Sequence, residues 1–342
     1  MKFVMVEPLP LTRTAYQAQQ TALRWSLIAA HLGLRPFVRP KNAPDRRDLL
    51  QLRRRLDQLL ERDFENASAG LYPRELLFQM PVAEYVAQLP GLAAEVVRML
   101  RRAKRGAVRD LPTGVNLADF PDYFRRNFHW QSDGYLSRRS ADLYDIGVEF
   151  LFLGTADVMR RQVIPPLTRF FRESPGKKRV LDVGAGTGRT LAQLAAAHPE
   201  QKYFGVDLSP YYVDRARELL AGRDVSLLVD NAEALPLKDA SFDAVVSVFL
   251  FHELPTRARR NVLREMRRVL APGGLLVIED SAQLVDSPEL AVFLTNFGND
   301  MNEPFFASYL REGLEAELEA AGFRWESSEP AFLSKVLVAR AV

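Results

Sequence analysis

Gly184, Gly186 and Gly188 stand at alternate positions directly after the apolar run 180–183. Glycine at this spacing lets a strand turn tightly into a helix and lets backbone approach a ligand where a Cβ would clash. The next apolar run, 203–206, ends at Asp207, where a carboxylate can accept both hydroxyl protons of a ribose. Together the two runs point to a nucleoside-containing cofactor. A phosphate-cradling loop would end in Gly-Lys-Ser/Thr, which is missing here, and a dinucleotide fingerprint would need glycine where Arg189 stands. A polar pair, Asp230-Asn231, follows a third apolar run, and a fourth leads into Phe249-Leu250-Phe251-His252-Glu253. His252 can take a proton from an acidic acceptor, and Glu253 can orient that imidazole or cap the turn after it.

With residues 229–236, 241–247 and 265–275, the order and spacing of these runs resembles the class I S-adenosylmethionine-dependent methyltransferases, especially the small-molecule branch of ubiquinone and menaquinone methyltransferases. The resemblance covers residues 140–340. It implies a seven-stranded sheet ending in an antiparallel hairpin, with S-adenosyl-L-methionine as cofactor. It places Asp182 beneath the glycine turn, and Gly184, Ala185, Gly186 and Gly188 around the methionyl and ribose part. Asp207 and Leu208 fall at the ribose hydroxyls, Asp230, Asn231 and Ala232 at the adenine edge. Phe249 becomes a wall of the transfer pocket and Tyr144 closes over the methionine end.

Methyl transfer needs an electron-rich atom aligned behind the sulfonium methyl and water kept out, so no covalent nucleophile is required. His252 and Glu253 are the catalytic candidates. The segment 127–136 resembles one found upstream in some methyltransferase relatives and offers His129 as an acceptor contact. The insertion after the fifth strand offers Phe297, Asn302, Glu303, Phe306 and Tyr309. The acceptor implied is small, aromatic or apolar, and methylated on oxygen or carbon. Two alternatives stay open: an RNA or protein methyltransferase, and a cofactor-binding scaffold without turnover. Arg189 and the downstream runs disfavour a nicotinamide oxidoreductase.

Helices must carry the front of the chain. Apolar spacing predicts them over 14–32 and 48–62, and over 82–89 and 92–105 as a pair parted by Pro90-Gly91. Residues 1–170 are therefore read as a mostly helical N-terminal, substrate-capping region, and 171–342 as the cofactor-binding α/β catalytic domain. In the latter, strands are expected at 179–183, 202–206, 225–229, 242–249, 275–279 and 331–339. Helices are expected at 190–197, 211–221, 256–270 and 306–321, the rhythm of a parallel, Rossmann-like sheet covered on both faces.

Composition narrows the chemistry. The 342 residues include no cysteine, which excludes disulfides, thiolate metal sites and a cysteine nucleophile. The four histidines show no ligand spacing, so no metal is expected. No run of about 18 apolar residues occurs, and the run 3–6 stops at Glu7 and Pro8, so neither a membrane span nor a signal-peptide core is expected and the location is read as cytoplasmic. Residues 1–110 carry nineteen Lys or Arg against eleven Asp or Glu within a net charge of +3. That excess is read as mixed surface charge. A nucleic-acid partner is disfavoured, a small-molecule substrate favoured and a homodimer left open.

Overall fold

A computed structural model describes residues 9–34 and 42–342, with side chains from 12–29 and from 42 onward. The apolar run 3–6 and the prolines at 36 and 40 lie outside the described residues. Helices α1 (Leu9–Leu34), α2 (Arg46–Ser68) and α3 (Val82–Arg105) open the chain. Asp45 caps α2 by accepting from the Asp48 amide (2.8 Å), while the Asp48 carboxylate accepts from the Asp45 amide (2.9 Å). The expected break at Pro90-Gly91 does not occur. Pro90 sits inside α3 on its exposed side, where water can serve the carbonyl left without a donor, and Gly91 lets Leu143 approach the helix closely.

Short helices α4 (Arg138–Leu151), α5 (Ala156–Arg161) and α6 (Ile164–Glu173) lead into the sheet. Its strands are β1 (Arg179–Val183), β2 (Lys202–Asp207), β3 (Val225–Val229), β4 (Phe242–Val248), β5 (Leu270–Ser281), β6 (Phe323–Ala331) and β7 (Ser334–Ala341). They lie in the order β3-β2-β1-β4-β5-β7-β6. The first five run parallel, and β7 pairs antiparallel with both β5 and β6, giving the expected seven strands and closing hairpin. One late strand is expected at 331–339; β6 carries no strand pattern because residues 325–330 are largely exposed on both faces at the sheet edge, where Pro330 costs no ladder bond.

Helices α7 (Arg189–Ala197), α8 (Pro210–Leu219), α9 (Thr256–Val269), α10 (Ala291–Asp300), α11 (Phe306–Arg311) and α12 (Leu314–Ala320) complete the chain. The single helix expected over 306–321 is two, parted at Glu312-Gly313, where Glu312 pairs with Arg259 and the Leu314 amide donates to Gln283 Oε1 (3.1 Å).

Alternation along the strands sorts side chains between two layers. Leu181, Val183, Val245 and Ile278 pack with Leu263 and Met266 of α9 and Leu318 of α12. On the other face Val180, Tyr203, Ala244 and Val277 pack with Leu191 of α7 and Leu167 of α6. That same cluster continues without a gap into Leu56, Leu59 and Phe64 of α2 and Tyr16 of α1. The helical front is thus one wall of the sheet's core. It is anchored by Asp63, which accepts from Tyr16, Tyr72 (both 2.6 Å) and Arg161 (2.7 Å) with no exposed surface.

Candidate active site

Sequence order reverses between β1 and β4, the point where an open parallel sheet leaves a crevice at its carboxyl ends. A cleft lies there, lined by Gly184–Thr187, Asp207-Leu208, Asp230–Ala232 and Val248–Leu250, each set at or directly after the end of a strand. The glycine turn is tied to the next strand: the Gly184 and Ala185 amides donate to Val206 O (2.9 and 3.0 Å), and the Gly186 amide to Asp207 Oδ2 (2.8 Å). Asp207 Oδ1 accepts from the Ser209 amide (2.8 Å). Each oxygen keeps acceptor capacity towards the cleft. Burial pushes the Asp207 carboxyl up to about 6 against the pull of these amides.

Ten of the twelve cofactor residues expected from sequence line the cleft, Tyr144 and Phe249 included. Asp182 and Gly188 do not. Asp182 lies within the sheet, neither of its oxygens receives a hydrogen bond, and burial followed by the nearby Asp207 charge pushes it up to about 8. Gly188 has φ +82°, and a Cβ there would stand 3.0 Å from Ala216 of α8 and from Leu220 just past its end, so its task is to let two helices pack. Gly186 is the glycine that faces the opening, for a Cβ there would meet nothing within 4 Å. Arg160, paired with Asp157 (3.0 Å), also lines the cleft and was not foreseen, nor were Tyr123, Phe124 and Tyr135. The aromatic run 123–144 was the available signal for the last three.

A second cavity of about 870 Å³ opens beyond the end of β4. Leu92, Val96, Met99 and Leu100 of α3, Leu143 and Val148 of α4, and Phe293 and Phe297 of α10 give it an apolar lining. Tyr144, Phe249 and Glu253 border both spaces. Phe249 holds φ +55° and stacks on Phe152 at 5.7 Å, which fixes it as a partition. Of the acceptor residues expected, His129, Phe297 and Phe306 line this cavity. Asn302 instead donates to Asn127 O (2.6 Å), and the Tyr309 hydroxyl to Ser281 O (2.6 Å), so both brace loops.

His252 lines the cavity, and its Nδ1–H donates to Asp280 Oδ1 (2.7 Å). Asp280 also accepts from the Phe251 (2.6 Å), Ser281 (2.7 Å) and Leu250 (3.1 Å) amides. Burial disfavours the imidazolium, yet Asp280 and then Glu253 hold His252 above the ordinary histidine range. Orientation of this imidazole therefore falls to Asp280, a residue the sequence did not single out for it. Glu253 turns the other way and accepts from Tyr135 OH and from His129 Nε2 (3.3 Å).

The layers, strand order and crevice define a Rossmann-like domain of the class I methyltransferase fold preceded by a mostly helical region. Residues 180–274 match the family model described as a methyltransferase domain. The chain is 37% identical over 177 residues to malonyl-[acyl-carrier protein] O-methyltransferase of Geobacter sulfurreducens, covering 49% of this chain and 64% of that protein. It is 36% identical over 140 residues to demethylmenaquinone methyltransferase of Deinococcus radiodurans, covering 40% and 55%. To probable tRNA methyltransferase 9B of Mus musculus it is 34% identical over 115 residues, covering 33% and 24%. The chain thus spans less than two thirds of each of these relatives. It carries a class I S-adenosylmethionine-dependent methyltransferase domain, and its relatives extend beyond the quinone branch. Among the described residues no helix is long and apolar enough to cross a membrane.

Proposed function

We propose that the chain transfers a methyl group from S-adenosylmethionine to a small apolar or aromatic acceptor, at oxygen or carbon. The observation that carries this reading is the common wall of Tyr144, Phe249 and Glu253 between the strand-end cleft and the apolar cavity. The cofactor supplies a methyl already activated on a sulfonium, so the chain's work is alignment and exclusion of water. Asp207 would accept the ribose hydroxyl protons on the lone pairs left by the Gly186 and Ser209 amides. Asp230, Asn231 and Ala232 would border the nucleobase, and Arg160, which also lines the cleft, would pair with the carboxylate of the methionine end.

An acceptor hydroxyl or acidic carbon reaching the common wall meets Glu253, and further into the cavity His252. Asp280 keeps the proton on His252 Nδ1, which leaves Nε2 to take one. Similarity to the acyl-carrier and menaquinone enzymes supports a small acceptor. The tRNA relative and the basic front favour RNA. Against that, Arg55, Arg62 and Arg102 of that front are engaged by Glu289, Glu329 and Asp110 within the fold, and the cavity's lining is mostly apolar, its Arg139 lying 3.9 Å from Glu95.

Calorimetry with S-adenosylhomocysteine and NAD+, followed by methyl transfer to a panel of phenols and hydroquinones with transfer RNA as comparison, tests this reading. Binding of the first ligand alone, with methylation in the phenol panel, is expected. Failure to bind S-adenosylhomocysteine overturns the cofactor assignment, and preferential labelling of the RNA overturns the acceptor class.

A further inference from the structure

Two segments far apart in sequence, 127–135 and 300–306, are stitched together. The Trp130 indole N–H donates to Asp300 O (2.8 Å) and Asn302 to Asn127 O (2.6 Å). This brings His129 between two carboxylates, with Nε2 3.3 Å from Glu253 Oε1 and Nδ1 3.1 Å from Glu303 Oε1. One ring nitrogen of His129 and one carboxylate oxygen each from Glu253 and Glu303 gather within 4.8 Å. Glu303 has no exposed side-chain surface, and neither of its oxygens receives a hydrogen bond; the approach of His129 Nδ1 falls outside hydrogen-bond geometry. A carboxylate taken from water with no donor on either oxygen is a costly arrangement that a counter-charge relieves.

We propose that His129, Glu253 and Glu303 bind one divalent first-row metal ion of the zinc or manganese kind. Two carboxylates and a neutral imidazole cancel a charge of +2, leaving a neutral centre in an apolar wall. The imidazole nitrogen selects first-row ions over magnesium and calcium, which take oxygen ligands. Three protein ligands leave coordination positions unfilled, as in catalytic rather than structural sites. His129 and Glu253 face the acceptor cavity while Glu303 stands behind them, so the open positions look into that cavity and suit an oxygen donor such as a hydroxyl or enol. The ion's use in acceptor binding rests on the methyl-transfer reading; its binding does not. Spacing along the chain gave no hint of this site, because its ligands come from three segments more than 40 residues apart.

The test uses the full chain stripped with chelator and titrated calorimetrically with Zn2+, Mn2+ and Mg2+, with electron paramagnetic resonance for Mn2+. One equivalent of Zn2+ or Mn2+ is expected, with Mg2+ weaker by at least about a hundredfold. Glu303→Gln keeps the volume and is expected to weaken Zn2+ by about a hundredfold or more, while S-adenosylhomocysteine affinity and the melting temperature stay near wild type. His129→Gln serves if Glu303→Gln does not fold. Absence of saturable binding in wild type overturns the site. So does one equivalent retained by both variants, which would put the ion elsewhere. Loss of S-adenosylhomocysteine binding in wild type would instead strike at the methyl-transfer reading and leave the metal result standing.

Discussion

The two spaces that meet at Phe249 are built in opposite ways. The cofactor side is built around strand ends between residues 184 and 250, with Tyr144 and Arg160 added from upstream helices, and backbone amides fix its base: Gly184, Ala185, Gly186 and Ser209 all donate to the end of β2. The acceptor side gathers α3, α4, α10 and the loops holding His129, His252 and Glu303, and side chains bond there to distant side chains. A site made of backbone at strand ends is specified by local sequence. One made of side chains converging from far positions is free to vary with the acceptor, since each contributor can change without disturbing the sheet.

If the contrast holds, the largest effect belongs to the cofactor side. Asp207→Ala is expected to weaken S-adenosylhomocysteine by about a hundredfold, the loss of two hydrogen bonds to a charged acceptor, read by calorimetry at a pH of about 7.5, where the carboxylate is ionised. Affinity in wild type should also fall as pH drops through about 6. Burial raises this carboxyl towards the protonated form, and only the ionised form accepts both hydroxyl protons. An unchanged affinity in the variant would break the comparison, because the strand-end carboxylate would then not hold the ligand.

Next comes Gly188→Ala, which puts a Cβ 3.0 Å from Ala216 and Leu220 at a left-handed backbone position. A loss of about 1–3 kcal/mol in denaturant unfolding is expected, with little direct change in cofactor contacts because the residue lies off the cleft. A strong fall in cofactor affinity at unchanged stability would return Gly188 to the pocket. The smallest effect is Asp280→Asn. It removes the negative charge that holds His252 above its ordinary range, so the imidazole signal followed by nuclear magnetic resonance should titrate at lower pH. A titration that stays in place would show that Asp280 does not govern this histidine.

The same division explains what the sequence made legible. Strands β1 and β3 were read with their observed bounds, because buried parallel strands are short apolar runs closed by turn residues. The glycine turn and Asp207 followed from spacing alone. Pro90 misled because a proline breaks a helix only where its lost bond and its bulk cannot be relieved, and the exposed side of α3 relieves both. Sequence adjacency offers Glu253 either to orient His252 or to cap the turn, whereas the side chains of the two residues point apart, one to Asp280 and one to His129. Asp280 and Glu303 take their roles from contacts across 28 and 174 residues with the histidines they face, and no local pattern carries that information.

The place of β7 between β5 and β6 has a consequence for how the protein is made. As the ribosome delivers the chain from its amino end, β5 emerges long before the residues at 334–341 that pair with its free edge. Until they arrive, a strand with the apolar run 275–278 stands with its amide ladder open, and the sheet cannot close by vectorial growth. Closure must wait until 334–341 have been made, which makes the nascent chain dependent on whatever shields that edge in the interval.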